Sequence, residues 1–360
     1  MNIFSRIISK ILNSLSTDIG IDLGTANTLI YVKGKGVVIN EPTIVAINKK
    51  TGQLVAVGSE ARVMQGKTPG HIEVIRPLVD GVISDFEVTE EMLGYFINKV
   101  RSDMRTLLAP RVLIGVPSGI TNVEMRAARD AARNAGAREV FLIEEPMAAA
   151  IGAKLPVSSA VGNMIIDIGG GTTDIAVISL DGIVVSKNLR VAGDHLSQAI
   201  ASYIRDQFKV YVGEKTAEDV KIILAAIEHR NKEGSKEHII RGRDVITGLP
   251  REVVITDSDV RDAIALQVDS IVEAVRSVLE ITPPEVMADI MQHGIHLSGG
   301  GALIPGLRTL LEEVLEVPVI IVPDPLRAVV RGAGIVIENL ELYEKILIDK
   351  EGELSPNFTN

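Results

Sequence analysis

Hydrophobic positions along this chain follow first a helical period and then short β-type runs. Residues 2–15 read Asn-Ile-Phe-Ser-Arg-Ile-Ile-Ser-Lys-Ile-Leu-Asn-Ser-Leu. Ile3, Phe4, Ile7, Ile8, Ile11, Leu12 and Leu15 keep the i, i+3, i+4, i+7 spacing of one helix face. Ser5, Arg6, Ser9, Lys10, Asn13 and Ser14 make the other. A secretory signal would need an unbroken apolar region and a small-residue cleavage site, and neither is present. Such a helix can pack on the protein's own core or lie in a membrane interface. Its basic polar face, and its place ahead of the first core strand, favour the interface.

Two later stretches repeat each other. Ile19-Gly20-Ile21-Asp22-Leu23-Gly24-Thr25-Ala26-Asn27-Thr28 and Met164-Ile165-Ile166-Asp167-Ile168-Gly169-Gly170-Gly171-Thr172-Thr173 superpose at an offset of 145 positions. Each is an apolar strand, an aspartate, a glycine/threonine turn and a second apolar strand, Leu29–Val32 or Ile175–Ile178. A third apolar segment follows each, at 36–39 and 182–185. Paired turns of this kind offer backbone N–H groups and small hydroxyls to a polyphosphate. Asp22 and Asp167, at the strand ends, are placed to hold a hydrated Mg²⁺, which keeps several waters and takes few protein ligands.

Between and beyond the repeats the pattern alternates strands and helices, an α/β layer architecture. Strands are expected at 41–47 and 54–57 around a turn, then a connecting loop punctuated by Pro69, Gly70 and Pro77. A helix is expected over 89–105 with Thr89 as N-cap, ending before the apolar pair Leu107-Leu108. A strand at 112–116, a helix at 121–134 stopped by Gly136, and a strand at 140–143 lead to an alanine-rich helix opened by Glu144-Glu145-Pro146. In the second half, helices are expected after Gly193-Asp194, at 219–227 and at 257–281, with β-rich sequence at 237–256. Ile295–Ser298 reads as a strand into Gly299-Gly300-Gly301-Ala302, and a strand at 319–322 and a helix at 325–340 close the pattern.

Composition narrows the functions. The chain's 360 residues allow two ordinary domains, and a formal charge of −10 disfavours nucleic acid as a bulk electrostatic partner. Aromatic residues make up only 3%, with no tryptophan, which argues against a base-stacking surface. There is no cysteine, hence no disulfide and no thiolate chemistry. No apolar run approaches the roughly 20 residues needed to span a bilayer. The histidines, among them His195, His229, His238, His293 and His296, show no metal-ligand spacing.

Glu145, at a strand–helix junction, is either a helix-start carboxylate favoured by the macrodipole or a group that orients water towards a γ-phosphate. Gly299–Gly301 is either a tight turn or a bare surface for a base or sugar. Glu214 and Lys215 are either a solvated helix start or polar partners of base and ribose. Leu107 and Leu108 are core residues by default, with a second membrane contact the alternative.

These motifs, in this order, resemble the actin and heat-shock-chaperone ATPase superfamily and, within it, the bacterial actin family of MreB. Besides the two turns, the likeness rests on Gly115-Val116-Pro117-Ser118-Gly119-Ile120-Thr121, Ile143-Glu144-Glu145-Pro146-Met147-Ala148-Ala149-Ala150 and Gly213-Glu214-Lys215-Thr216-Ala217-Glu218. Thr247-Gly248-Leu249-Pro250 and Thr282-Pro283-Pro284-Glu285 extend it along nearly the whole chain. The sequence departs from the family pattern at Asp174, where glutamate is more usual, and at His195, where an acidic residue is common.

The resemblance implies a duplicated ribonuclease-H-like, actin-like ATPase fold with ATP or ADP and Mg²⁺ in a central cleft. Its parts would be a membrane-binding helix at 1–16, domain I at 17–156 plus 325–345 with a small subdomain near 47–79, domain II at 157–324 with one near 196–259, and a tail at 346–360. Gly24, Thr25, Ala26 and Asn27, with Gly169, Gly170, Gly171, Thr172 and Thr173, would hold phosphates, and Asp22 and Asp167 would surround the metal through water. Glu145 and Thr172 would position the attacking water. Glu214, Lys215, Thr216, Ala217 and Glu218, with Gly299, Gly300, Gly301 and Ala302, would line the adenosine pocket. The implied function is a slow ATPase that polymerises into double filaments on the cytoplasmic face of the membrane and guides cell-wall synthesis in elongated bacteria. The membrane contacts would be Ile3, Phe4, Ile7, Ile8, Ile11, Leu12, Leu107 and Leu108, and the partners the chain itself and the wall-elongation machinery. A sugar or acetate kinase on the same fold is the alternative, although no motif supplies its base for a substrate hydroxyl.

Overall fold

A computed structural model describes residues 17–104, 108–227 and 236–348. The helix expected over 2–15, with Ile3, Phe4, Ile7, Ile8, Ile11 and Leu12, lies outside the described residues, as do Leu107 and the tail from residue 349. Leu108 is half-buried. The chain divides into two compact units. One takes the described parts of Met1–Ala160, Ile178–Ile183 and Arg327–Asn360; the other takes those of Val161–Val177 and Val184–Leu326.

The first unit opens with β1 (Ile19–Leu23), β2 (Asn27–Val32) and β3 (Gly36–Pro42), antiparallel, with Asp22 opposite Leu29. Next come β4 (Val45–Asn48), β5 (Leu54–Val57), α1 (Ser59–Met64) and β6 (Ile72–Ile75). The three strands form a small sheet in the order β5-β4-β6, which shares a core of Ile44, Ala46, Ala56 and Ala61 with α1. A two-stranded turn, β7 (Leu78–Val79) and β8 (Val82–Ile83), leads into α2 (Phe86–Met104). The unit continues through β9 (Arg111–Val116), α3 (Asn122–Asn134), β10 (Glu139–Glu144) and α4 (Glu145–Gly152). Its main sheet runs β10-β9-β1-β2-β3, with β9 parallel to both β1 and β10. Ile19, Ile21, Ile114 and Leu142 from the strands share one core with Met92, Phe96 and Ile97 of α2.

The second unit repeats this plan. β11 (Asn163–Ile168), β12 (Thr173–Ser179) and β13 (Gly182–Leu189) are followed by α5 (Gly193–Phe208), β14 (Val210–Tyr211), α6 (Glu214–Leu224), β15 (Glu237–Asp244) and β16 (Pro250–Thr256). Then come α7 (Asp257–Ile281), α8 (Pro284–His293), β17 (Ile295–Ser298), α9 (Leu307–Leu315) and β18 (Val319–Ile321). The sheet order β13-β12-β11-β17-β18 is that of the first unit with β11 in the place of β1 and β17 in the place of β9, and the β11–β17 and β17–β18 pairs are again parallel. The duplicated aspartates take matching stations, Asp22 beside Gly115 and Asp167 beside Ser298. Strands β14, β15 and β16 form a separate small sheet.

The last helix, α10 (Ala328–Glu338), returns to the first unit and packs on α4. Their crossing is backbone against backbone. A Cβ built on Gly332 would lie 1.8 Å from the Ala148 carbonyl oxygen, and one on Gly152 would lie 1.9 Å from that of Ala328.

Local chemistry explains where the helices start. Thr121 and Glu124 form a reciprocal capping box on α3, and Thr256 and Asp259 form another on α7. Several expectations shift. The strand expected at 41–47 is divided between β3, which ends at Pro42, and β4, which starts at Val45. Thr89 is not an N-cap: its hydroxyl donates to the Asp85 carbonyl at 2.6 Å inside the first turn, while Asp85 Oδ1 accepts from the Val88 N–H. The connecting loop around 69–77 contains β6, recruited by pairing with β4. The helix expected at 219–227 begins at Glu214, with Gly213 as N-cap. Pro284, read as a helix end, also opens α8, where a missing N–H costs nothing.

Candidate functional site

Each repeated turn is held by its own unit. In the first, the three residues 24–26 join β1 to β2, and a Cβ on Gly24 would come within 2.8 Å of the Asn27 carbonyl oxygen, so the turn is too tight for a side chain there. The Thr43 hydroxyl donates to the Gly24 carbonyl at 2.6 Å, the Thr43 N–H donates to that of Ala26 at 3.0 Å, and the Thr43 and Thr28 hydroxyls lie 2.9 Å apart. Thr25 is buried and its hydroxyl accepts from the Gly81 N–H at 2.9 Å, while Ala26 is exposed. Neither Thr43 nor Gly81 stood out in the sequence. Gly81 sits in an Asp-Gly turn with φ of 79°, a hairpin signal between the expected loop around 69–77 and the helix expected from residue 89.

In the second unit the turn is 169–172, closed by a 2.9 Å bond from the Gly169 N–H to the Thr172 carbonyl. Its first two carbonyls face the start of α5: the Gly193 N–H donates to Gly169 at 3.1 Å and the Asp194 N–H to Gly170 at 2.7 Å. Thr173 is fully buried and its hydroxyl donates to the Val191 carbonyl. These bonds spend the turn's outer carbonyls on the protein.

Asp167 is 7% exposed, and its Oδ1 has no hydrogen-bond partner among the described residues. Burial raises its pKa from the ordinary 3.8 to about 7; the Ser298 hydroxyl pulls the other way, and the neighbouring Asp174 carboxylate adds to the rise. An orphaned buried carboxylate oxygen is costly, and a cation nearby would relieve it. Among the described residues no cluster of three or more His, Cys, Asp or Glu side chains could cage a metal. A hydrated Mg²⁺ with one or two carboxylates fits this donor set. Asp174, the departure from the family pattern, is buried and accepts from Asn188 Nδ2 at 3.0 Å.

Glu145 is the first residue of α4, 8% exposed, with Pro146 in the helix's first turn. Gly115 makes room for it: a Cβ there would stand 3.3 Å from Glu145 Cγ. Strand β9 thus packs against the stem of the Glu145 side chain. The Gly299–Gly301 segment has a structural reason of its own. A Cβ on Gly299, at φ of 77°, would fall 2.3 Å from the Ile168 carbonyl oxygen, and one on Gly301 would fall 2.2 Å from Ile168 Cγ2. The glycines therefore let this segment lie against the residue that precedes the second turn, and Ala302 is buried in the core. Glu214 and Lys215 are exposed on the first turn of α6, Thr216 and Glu218 are half-buried and Ala217 is buried.

Similarity to known proteins follows the same lines. A family model described as MreB/Mbl protein matches residues 16–345. The cell shape-determining protein Mbl of Bacillus subtilis is 50% identical over 331 residues, 91% of this chain and 98% of that one. The cell shape-determining protein MreB of Escherichia coli K12 is 47% identical over 348 residues, 96% of this chain and 100% of that one. A crystal structure of MreB5 of Spiroplasma citri bound to ADP superposes with a TM-score of 0.85 at 40% identity, covering 92% of this chain and 98% of that one. The MamK double helical filament, with a TM-score of 0.76 at 24% identity over 90% of this chain and 99% of that one, shares the fold. Twin sheets of one topology, aspartates at matched stations and half of the aligned positions in common with a relative covered nearly end to end lead to one conclusion: the chain belongs to the MreB/Mbl family of actin-like, cell shape-determining proteins.

Proposed function

We propose that this chain is an ATP-binding and ATP-hydrolysing bacterial actin that polymerises into membrane-associated double filaments, organises cell-wall synthesis and maintains elongated cell shape. The observation that carries the reading is the pair of turns, each braced through its carbonyls, together with the buried, incompletely satisfied Asp167 beside the second. MreB5 of Spiroplasma citri has been solved bound to ADP and to AMPPNP, which supports nucleotide binding by this chain.

In this reading Gly24 to Asn27 and Gly169 to Thr173 take the phosphates, one turn from domain I (17–156 plus 325–345) and one from domain II (157–324). Glu214 to Glu218 and Gly299 to Ala302 receive the adenosine. Bound Mg²⁺ would neutralise charge on phosphate oxygens, held through water by Asp22 and Asp167. Glu145 accepts a hydrogen bond from the attacking water, and the Thr172 hydroxyl fixes the water's second direction. The amphipathic stretch at 2–15 and Leu107-Leu108 meet the cytoplasmic face of the membrane, so the protein is peripheral there; no described helix is long and apolar enough to cross it.

Electron microscopy of the purified protein with Mg-ATP on an anionic lipid monolayer, beside a nucleotide-free sample, tests these elements together. Paired filaments lying on lipid only with nucleotide are expected. Monomers in both samples with ATP still bound would overturn the filament reading and favour a small-molecule phosphotransferase.

A further inference from the structure

Resting on the nucleotide site proposed above, we infer that Lys221 is a positioning residue for phosphate chemistry, acting through the start of α5 on the second turn. The chain of bonds lies wholly within the second unit. Lys221 Nζ, on α6, donates to the Gly193 carbonyl at 2.8 Å and to Glu218 Oε2 at 2.6 Å. The Ser197 hydroxyl reaches Glu218 Oε2 at 2.7 Å and the Gly193 carbonyl at 3.2 Å. The same Gly193 residue donates its N–H to the Gly169 carbonyl, and the next N–H goes to Gly170. One peptide-long step therefore separates the ammonium from the turn proposed to hold phosphate.

The electrostatics mark this as a bolt and not as a source of charge. A cation beside the first turn of a helix opposes the macrodipole, so Lys221 needs a reason to be at the start of α5. Glu218, one turn earlier on α6, cancels its charge. The pair is mostly sheltered, with side chains 13% and 26% exposed, so the hydrogen bonds are little diluted by water. The first repeated turn has a different brace: the neutral Thr43 hydroxyl and the Gly81 N–H. Residues 214–218, proposed to receive adenosine, lie on the helix that carries Lys221. Nucleoside seating and phosphate-turn geometry thus share one rigid element, and Lys221 links them.

The test compares wild type with Lys221→Met, which keeps the stem and removes every donor. Lys221→Gln, whose polar head stops short of the ammonium position, is the second variant and is held to the same outcomes should the first fail to fold. In nucleotide-free protein, amide hydrogen exchange at Gly193 and Asp194 should quicken at least about tenfold, a readout that does not depend on the nucleotide reading. With Mg-ATP, kcat should fall about tenfold or more while ADP affinity stays within about twofold, the signature of misplaced reacting groups. Unchanged exchange at 193–194 overturns the bolt. Equal weakening of ADP and AMPPNP binding makes Lys221 a direct nucleotide ligand and overturns the positioning role. An unchanged kcat does the same. If wild type itself binds no nucleotide, the proposed function fails, and the exchange measurement alone then decides whether the bolt exists.

Discussion

Asp167→Asn should make the nucleotide-free protein more stable while removing its Mg-dependent function. Burial lifts the folded-state pKa of Asp167 from 3.8 to about 7. Below about pH 4 the carboxyl is protonated in folded and unfolded chains alike, and it costs nothing. Between 3.8 and about 7 the unfolded chain releases its proton while the folded chain retains it, so stability falls as pH rises. Above about pH 7 the full cost is present, of order 4 kcal/mol from a shift of this size. At pH 5 only about 1.5 kcal/mol of it has developed. Asparagine has nearly the same shape, keeps an acceptor for the Ser298 hydroxyl and carries no charge. Urea denaturation of both proteins, free of nucleotide and Mg²⁺, should show the variant gaining some 2–3 kcal/mol more at pH 8 than at pH 5, as an upper bound. The same variant should lose Mg-dependent nucleotide binding. An equal stability difference at the two pH values would refute the argument, because it would mean that the buried carboxylate carries no ionisation penalty.

Glu145→Ala should bind ATP with affinity near wild type yet hydrolyse it about 10²-fold more slowly or worse; unaltered turnover in a phosphate-release assay would remove Glu145 from its role. Deleting residues 2–15 should abolish co-sedimentation with anionic liposomes and leave ATP binding intact; unchanged sedimentation would refute the interfacial helix. Gly332→Ala drives a methyl into the Ala148 carbonyl, 1.8 Å from where its Cβ would stand, and should cost at least about 2 kcal/mol, read as a lowered melting temperature. Arg111→Met would leave Asp18, which is fully buried and held at 2.6 Å, without its cation; a loss of about 3–5 kcal/mol in chemical denaturation is expected, and a neutral result would show that water reaches the carboxylate.

The strand–turn–strand repeat was legible because both its apolar period and its glycines are local. So were α3 and α7, whose Thr-to-acidic capping boxes lie within four residues. β6 was not, since Ile72–Ile75 is only four residues long and becomes a strand by pairing with β4. The start of α2 was misplaced for a related reason: Asp85 and Thr89 are both plausible caps, and only the bonds to Val88 and Thr89 decide for Asp85. For the site, the turn residues and Glu145 stood out by motif. Their braces did not. Thr43, Gly81, Gly193 and Lys221 act through hydrogen bonds that reach 19 to 56 residues along the chain, to backbone carbonyls or, for Gly81, to the Thr25 hydroxyl, and such bonds leave no periodicity to read. In sequence Gly299 and Gly301 read equally as a tight turn or as a bare surface for a ligand, and only the structure shows that the packing of Ile168 requires them.

The return of α10 to the first unit has a consequence for synthesis. Ala328, Val330, Ala333, Val336 and Ile337 are all buried, and they belong to a unit whose other large segment ends at Ala160. A ribosome adding about 5–20 residues per second needs roughly 10–35 s to make the chain between those points. For that interval the first unit stands with the α4 and β1 surfaces that α10 will cover exposed, while the second unit's sequence is completed first. The order of assembly is therefore inverted relative to the order of synthesis: the unit begun first is the unit finished last. Nascent chains halted near residue 326 should accordingly hold a protease-resistant second unit beside an open, chaperone-accessible first one.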